Sequence, residues 1–157
     1  MIAVRPARPG DGAILHALVR ELALHHGEEG NFRSSPEDFE AAIFHPQSFI
    51  GALVATVDGV PAGCVVWHRS FSTFRGRETM YMEDLSVLPR FRRRGVARAL
   101  LRETARLALS KGHPAIAWMM VNWNAEGRAL YEGVGAEIEE GVNFCRIHGE
   151  ALERLAR

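Results

Sequence analysis

Residues 85–100 read LSVLPRFRRRGVARAL, and the rest of the fold can be built outward from this stretch. The apolar run up to Val87 is typical of a strand, which Pro89 ends because proline has no N–H to donate to a neighbouring strand. From Gly95 onward the apolar residues recur at helical spacing. This order of strand, arginine-rich turn and helix favours phosphate binding, because the first N–H groups of a helix are unpaired and carry a partial positive charge.

The turn differs from two common glycine-rich phosphate loops. It does not match G-x-x-x-x-G-K-[ST], and no lysine follows it, which excludes an ATP-type loop; it is not G-x-G-x-x-G either. We expect the backbone of residues 93–98 to hold a pyrophosphate, and one or two arginine side chains to bind an outer phosphate. A solvated basic loop is the alternative interpretation.

The remaining pattern predicts one α/β domain over residues 1–157 with a mixed sheet. Pro9-Gly10-Asp11-Gly12 is expected to cap the first helix and Ser35 the second, and Asp58-Gly59 predicts a tight hairpin. The predicted elements are strands at 2–6, 49–57, 60–71, 78–87 and 115–121, a closing strand pair at 138 and 144–147, and helices at 12–26, 36–44, 95–111, 125–132 and 150–157.

Composition excludes several classes of protein. The chain has 157 residues, 47% of them hydrophobic and 24% charged, with 19 basic and 19 acidic side chains, so disorder through charge repulsion is excluded. It has no apolar run of about 18 residues and no signal-peptide pattern, so we expect a soluble, cytoplasmic protein without a membrane partner. Cys64 and Cys145 are interpreted as core residues, and the histidine spacing predicts no metal site.

The balanced net charge conceals an uneven distribution along the chain. Residues 90–106 hold seven arginines and one acid, whereas residues 1–64 hold eight acids against four arginines, and the tail from Glu126 holds seven acids against four arginines. A basic centre suits phosphates, and acidic flanks suit a cationic amine.

The turn and its flanks resemble the acetyl-CoA signature of the GNAT N-acetyltransferases. This resemblance is carried by Val87, Pro89 and the series Arg92-x-x-Gly95-x-Ala97 followed by a helix. Over nearly the whole chain, the sequence also resembles the diamine branch of that superfamily, which includes the spermidine/spermine and thialysine acetyltransferases. The residues concerned are Tyr81-Met82-Glu83-Asp84-Leu85, Trp123-Asn124, Tyr131, Gly135-Ala136 and residues 144–152.

The resemblance implies a fold, a reaction and a set of contacts. The fold is a central, mixed, mostly antiparallel twisted sheet flanked by helices, and the family is commonly homodimeric. The reaction is direct attack of the primary amine of a small cationic acceptor on acetyl-CoA, which serves as co-substrate. The expected cofactor-binding residues are Leu85, Ser86, Val87, Arg92, Arg93, Arg94, Gly95, Val96, Ala97, Arg98 and Asn124.

Tyr131 is the candidate general acid. It lies seven residues after Asn124, or two helical turns, so both side chains can face the same side of a helix. A phenol, with a pKa of about 10, is well matched to a thiolate leaving group. The resemblance favours this role over that of a half-buried structural tyrosine.

Glu83 and Asp84 interrupt an otherwise apolar strand, where carboxylates are uncommon without a function. Strand alternation places them on opposite faces, and the resemblance assigns Glu83 to the amine as its ligand or proton acceptor. Asp84, His26, Glu28 and Glu140 are further candidates for binding the amine. Val142 occupies the place of an aromatic residue in the polyamine enzymes, which disfavours a polyamine acceptor and leaves lysine-like and small diamine acceptors open.

Three alternatives remain at this stage. The chain could be a protein or peptide N-acetyltransferase of the same fold, or a CoA-binding module without activity. Nucleic-acid binding through Arg90, Arg92, Arg93 and Arg94 is disfavoured, because no aromatic residues are interleaved and no second basic patch exists.

Overall fold

A computed structural model describes residues 1–157. It divides into two compact units, Met1–Val121 and Asn122–Arg157. The strands are β1 (Ile2–Pro6), β2 (Ile50–Val57), β3 (Val60–Ser72), β4 (Arg77–Val87) and β5 (Ile116–Ala117), and the helices are α1 (Gly12–His25), α2 (Pro36–Phe44), α3 (Val96–Ser110), α4 (Ala125–Glu132) and α5 (Gly149–Leu155). The single-domain organisation stays a prediction.

The first unit contains a five-stranded sheet in the order β1-β2-β3-β4-β5. The first four strands are antiparallel to their neighbours, and β5 runs parallel to β4. The predicted hairpin is confirmed at Asp58 and Gly59, which have φ angles of 50° and 81° and fit the left-handed turn that joins two twisted strands. The predicted mixed, mostly antiparallel sheet with flanking helices is therefore confirmed.

Helices cover both faces of this sheet. On one face, Leu15 and Leu18 of α1 pack with Val54, Cys64 and Val66 in a buried cluster, which confirms the core position of Cys64. On the other face, α3 approaches β3 at Gly63, where an added Cβ would lie 2.5 Å from the Ser86 carbonyl oxygen and 3.3 Å from a Leu100 methyl. Glycine is required there because no larger residue fits between the strands and the helix.

The predicted helix starts differ in how they are capped. Ser35 forms the expected cap, with its hydroxyl accepting from the Asp38 N–H at 3.2 Å and the Asp38 carboxylate accepting from the Ser35 N–H at 2.7 Å. Asp11 makes no cap, because its carboxylate accepts from Arg5 at 2.6 and 3.0 Å and from the Arg8 N–H. Instead Glu40 of α2 accepts from the N–H groups of Gly10 and Gly12 at the start of α1.

Two sequence predictions about strands were wrong. The closing pair at 138 and 144–147 is absent, because residues 136–148 form no strand. Cys145, predicted as a core residue, is exposed. These short apolar runs find no neighbouring strand in the chain, and without a ladder an isolated strand is not stable. The strand predicted at 115–121 is reduced to the two residues of β5.

The short β5 leaves part of β4 open. The ladder between them contains only Met80 with Ile116 and Tyr81 with Ala117. From Met82 to Val87, β4 pairs with β3 alone, so its other edge presents backbone groups without a strand partner. This edge leads directly into the arginine-rich turn.

Candidate active site

A β-bulge in β4 controls the direction of the two strand carboxylates. Val66 pairs with Asp84 and His68 pairs with Tyr81, and the register shifts between these pairs so that Glu83 has no partner on β3. Since Val66 and His68 lie two residues apart, they and their partners share one face of the sheet. This is the α1 face, because Val66 belongs to the cluster that packs with α1.

Glu83 reaches the same face as Asp84. Its Oε2 lies 3.6 Å from His68 Nε2, on the face that His68 shares with Tyr81. The prediction that alternation separates Glu83 and Asp84 was therefore wrong, because the extra residue of a bulge breaks the period of two. The two carboxylates act on the same side of the sheet.

The two carboxylates differ in their surroundings. The Glu83 side chain is 58% exposed. Asp84 is largely buried, and burial together with the nearby charge of Glu83 raises its pKa to about 6. The burial of Cys64, assisted by the charge of Asp84, raises the pKa of that thiol, so it stays protonated and inert.

His68 is a site residue that the sequence analysis did not single out. Its ring stacks on Tyr81 with centroids 5.0 Å apart, and its Nε2 faces Glu83. Burial and the charge of Glu83 raise the pKa of the Tyr81 phenol. The sequence could not have identified His68, because its position opposite Tyr81 depends on the length of the turn between β3 and β4 and on the bulge in β4.

The arginine-rich turn has the backbone of an anion site. A short 3₁₀ turn at Pro89–Phe91 precedes Arg93 and Gly95, whose φ angles are 60° and 85°. Helix α3 has no side-chain cap and no acid in its first turn, and its first bond runs from the Ala99 N–H to the Gly95 carbonyl at 2.9 Å. The N–H groups of residues 96–98 therefore have no partner within the helix, as the phosphate interpretation requires.

The arginine side chains of the turn differ in their contacts and in their exposure. The Arg92 Nε–H donates to the Val87 carbonyl at 3.2 Å. Arg90 and Arg94 lie over the ring of buried Phe91, at 5.0 and 5.9 Å from its centroid. The exposed arginines of the turn and the first helical turn are Arg90, Arg93, Arg94 and Arg98, whereas Arg92 is half-buried.

Some predicted contact residues can offer only their backbone. Val96 is 1% exposed, with its side chain in the core. The Ser86 hydroxyl is buried and donates to the Leu18 carbonyl at 2.6 Å, which fastens β4 to α1. Neither side chain is available to a ligand, whereas the backbone of Leu85, Ser86 and Val87 belongs to the open edge of β4.

Within the second unit, Asn124 immediately precedes α4 and Tyr131 lies on it. The Asn124 side chain caps the helix by accepting from the Gly127 N–H at 2.8 Å, as predicted for an N-cap. Tyr131 lies in the last turn, and its partial burial raises the pKa of its phenol. Glu140 accepts from Arg128 at 3.2 Å, so this predicted amine ligand already carries a cationic partner.

The predicted amine ligands near the end of α1 lie close to one another in sequence and structure. His26 follows the last residue of α1, and its N–H donates to the Leu22 carbonyl. Burial and the neighbouring His25 lower the pKa of His26. The Glu28 carboxylate accepts from the Asn31 side chain.

Two further properties concern the whole chain. No group of three or more His, Cys, Asp or Glu side chains is arranged to hold a metal ion. None of the helices combines the length and the apolar character that a membrane span needs.

The chain belongs to the Acetyltransferase (GNAT) family, which matches residues 15–136. It is an N-acetyltransferase related to enzymes that modify small amines. It is 32% identical to the thialysine N-epsilon-acetyltransferase of Bos taurus, over 99% of this chain and 97% of that protein. An L-ornithine N5-acetyltransferase of Arabidopsis thaliana is 30% identical, over 62% of this chain and 43% of its own length.

Solved structures share the fold. The aminoglycoside N-acetyltransferase AAC(6')-Iy in complex with CoA superposes with a TM-score of 0.75 at 22% identity, covering 95% of this chain and 96% of that one. The fold that the GNAT resemblance implied is thereby confirmed.

Proposed function

We propose that the protein transfers the acetyl group of acetyl-CoA to the primary amine of a small cationic acceptor, such as a lysine-like amino acid or a diamine. One observation carries the proposal: the bulge at Glu83 puts two carboxylates on one face of β4, the strand that leads through the arginine-rich turn into the uncapped start of α3. The proposed ammonium site on β4 is thus followed in the chain by the proposed phosphate site at the start of α3.

The co-substrate fits the residues of the turn and of β4. The N–H groups of residues 96–98 suit the pyrophosphate, and the exposed arginines suit an outer phosphate. The edge of β4 at Leu85, Ser86 and Val87, which has no neighbouring strand on the β5 side, suits the amide-bearing pantetheine arm, and Asn124 is a further candidate contact. Bound acetyl-CoA supplies an activated acyl group, and the chain's own residues bind and orient the two substrates.

The amine must lose a proton before it can attack the thioester. We assign the ammonium to Glu83, whose exposed carboxylate can bind it and take up the proton, with Asp84 adding negative charge on the same face. His26, Glu28 and Glu140 are proposed as outer ligands of a longer cationic acceptor. Glu140 can serve only if the acceptor replaces Arg128 as its partner.

Tyr131 is proposed to donate the proton that the departing thiolate needs. Its raised pKa keeps the phenol protonated at neutral pH, which is the required state for a general acid. This role rests on the family resemblance and on the character of the phenol.

The proposed class of acceptor rests on the names of the relatives and on the residue at position 142. The names of the relatives point to thialysine and ornithine, which carry a primary amine at the end of a short chain. Val142 is exposed and lacks a ring, so it offers no cation–π contact to a long polycation. Lysine-like acceptors are therefore favoured over spermidine and spermine.

The test is an acceptor panel with acetyl-CoA, followed by release of free thiol. Thialysine, lysine, ornithine, putrescine, spermidine and a lysine-containing peptide should be compared at equal concentration. We expect the free amino acids to give the highest kcat/KM. Turnover of the peptide alone would contradict the small-molecule proposal, and CoA binding without turnover of any amine would contradict the reaction.

We also propose that the protein forms a homodimer. Val142, Phe144 and Ile147 are exposed apolar residues in the second unit, between 48% and 71% exposed. Light scattering after size-exclusion chromatography should give twice the chain mass, and replacing Phe144 and Ile147 by serine should give the monomer. A monomeric wild-type protein would contradict this proposal.

A further inference from the structure

His68 is fixed in one orientation beside Glu83. Its Nδ1 lies 3.0 Å from the Arg69 carbonyl oxygen, and its ring stacks on Tyr81 at 5.0 Å with an angle of 29° between the planes. The ring of Phe49, just before β2, meets it edge-on at 6.2 Å. These three contacts hold the imidazole with Nε2 directed at the Glu83 carboxylate, 3.6 Å away.

The hydrogen bond to Arg69 determines which nitrogen can accept a proton. A carbonyl oxygen only accepts, so Nδ1 must be the donor in this bond. In the neutral ring, Nε2 then carries a lone pair and faces a carboxylate oxygen, which is also an acceptor. Two acceptors at 3.6 Å make no hydrogen bond with each other, but a proton or a bridging water can be held between them.

Few titratable groups lie against His68. The titratable groups that face it are Glu83 and Tyr81, both from β4, and Phe49 contributes no charge. Arg69, the next residue on β3, directs its guanidinium to Glu78 at 3.6 Å. The His68 side chain is 31% exposed, so a proton received there can pass to water.

We propose that His68 acts through Glu83 as the final protein acceptor of the proton that the substrate ammonium loses. This inference rests on the proposed function, and it makes His68 a positioning residue for Glu83 and a relay to solvent.

The reaction removes two protons from the ammonium nitrogen and exchanges the C–S bond of the thioester for an N–C bond. One proton leaves the ammonium for Glu83, moves to His68 Nε2 and is released to water. The neutral amine then forms an N–C bond with the thioester carbonyl carbon, and the C–S bond breaks. The second proton leaves the nitrogen as the amide forms, and one proton ends on the thiol sulfur, so each turnover releases one net proton.

The test compares His68→Phe and His68→Asn with the wild type. The Phe variant keeps a ring against Tyr81 without a proton acceptor, and the Asn variant keeps a donor for the Arg69 carbonyl. Both should lower kcat/KM at neutral pH on the order of 10²-fold, the usual contribution of a positioned proton acceptor. Having two variants keeps the test valid if one of them fails to fold, which a thermal melt will reveal.

Two readouts separate proton transfer from a purely structural role. The loss of kcat/KM in the His68 variants should become smaller as the pH rises toward the pKa of the free amine, because an amine that binds in its neutral form needs no proton acceptor. Added imidazole should restore activity to His68→Ala in proportion to its concentration. His45→Gln, an exposed histidine beyond the end of α2, serves as the matched control and should behave like the wild type.

The outcomes distinguish this inference from the function on which it rests. A wild type that acetylates no amine overturns the proposed function and the relay together. An active wild type with a deficit that is constant across pH and is not rescued by imidazole overturns the relay alone. A deficit that declines with pH, together with rescue, supports it.

Discussion

The Nε–H of Arg92 donates to the carbonyl oxygen of Val87 at 3.2 Å, so the turn is tied to the last residue of β4. This bond fixes the start of α3 relative to the strand that precedes it. Arg92 is therefore expected to position the phosphate turn through Nε, whatever its terminal nitrogens bind.

Replacing Arg92 with lysine should weaken binding of acetyl-CoA. Lysine keeps the positive charge but has no planar fork to bond Val87 and a ligand at the same time. We expect the KM for acetyl-CoA to rise about tenfold with little change in kcat, measured by thiol release. Arg75→Lys, at the exposed tip of the β3–β4 hairpin, is the control. An equal effect in both variants would argue against an anchoring role for Arg92.

Replacing Tyr131 with phenylalanine should affect the chemical step. The ring and its packing remain, but the proton for the thiolate is lost, so kcat should fall by roughly 10² to 10⁴-fold while the Kd for CoA stays the same. Calorimetry and turnover should be measured on the same preparation. Because burial raises the pKa of Tyr131, this group should ionise only at a higher pH than a free phenol does. Unchanged turnover in the variant would remove Tyr131 from the mechanism.

Asp84 should make the protein less stable as the pH rises. Its pKa is about 6 in the folded chain against an ordinary value of 3.8, so the folded state holds a proton that the unfolded state releases between these values. Unfolding is therefore favoured increasingly through this range. Asp84→Asn should raise the free energy of unfolding by up to about 3 kcal/mol at pH 8 and by much less at pH 4.

Urea unfolding at the two pH values measures this difference. Glu139→Gln, which removes an exposed carboxylate, is the control and should show no such pH dependence. If Asp84→Asn proved equally stabilising at both pH values, the raised pKa would be the wrong explanation.

The stabilisation that Asp11 provides should increase as the pH rises, in contrast to the effect of Asp84. Its hydrogen bonds with Arg5 hold its pKa below the ordinary value, so this ion pair stabilises the fold at neutral pH and is lost as the pH falls through the folded-state pKa. Asp11→Asn should cost about 1.5 to 3 kcal/mol at pH 7, because it removes the negative charge and one of the two acceptor oxygens that Arg5 binds. Thermal unfolding at pH 7 and at pH 3 should show the cost shrinking in acid. A constant cost would mean that packing, and not charge, is responsible.

Local signals in the sequence were sufficient for much of the fold. Asp58-Gly59 specifies a hairpin because both residues accept positive φ, and Ser35 with Asp38 specifies a helix start through reciprocal hydrogen bonds. The backbone of the turn around Gly95 could also be predicted, since a glycine accepts the positive φ that precedes this helix.

Features that depend on pairing between distant residues could not be predicted. Glu83 and Asp84 share a face only because β4 gains a residue relative to β3, and no residue type marks that bulge. His68 meets Glu83 for the same reason. Residues 144–147 have the composition of a strand, but a strand also needs a neighbour, which composition does not reveal.

The early end of the β4–β5 ladder, at Tyr81 and Ala117, has a thermodynamic consequence. A pantetheine arm lying along the open edge would complete the sheet as a missing strand does, so the bound state should contain more protected backbone amides than the free one. At 100 times its Kd, a ligand that binds only the folded chain adds about 2.7 kcal/mol to the free energy of unfolding. The stability of this enzyme would then rise and fall with the supply of CoA and its thioesters, since each of them carries the pantetheine arm that would lie along the edge.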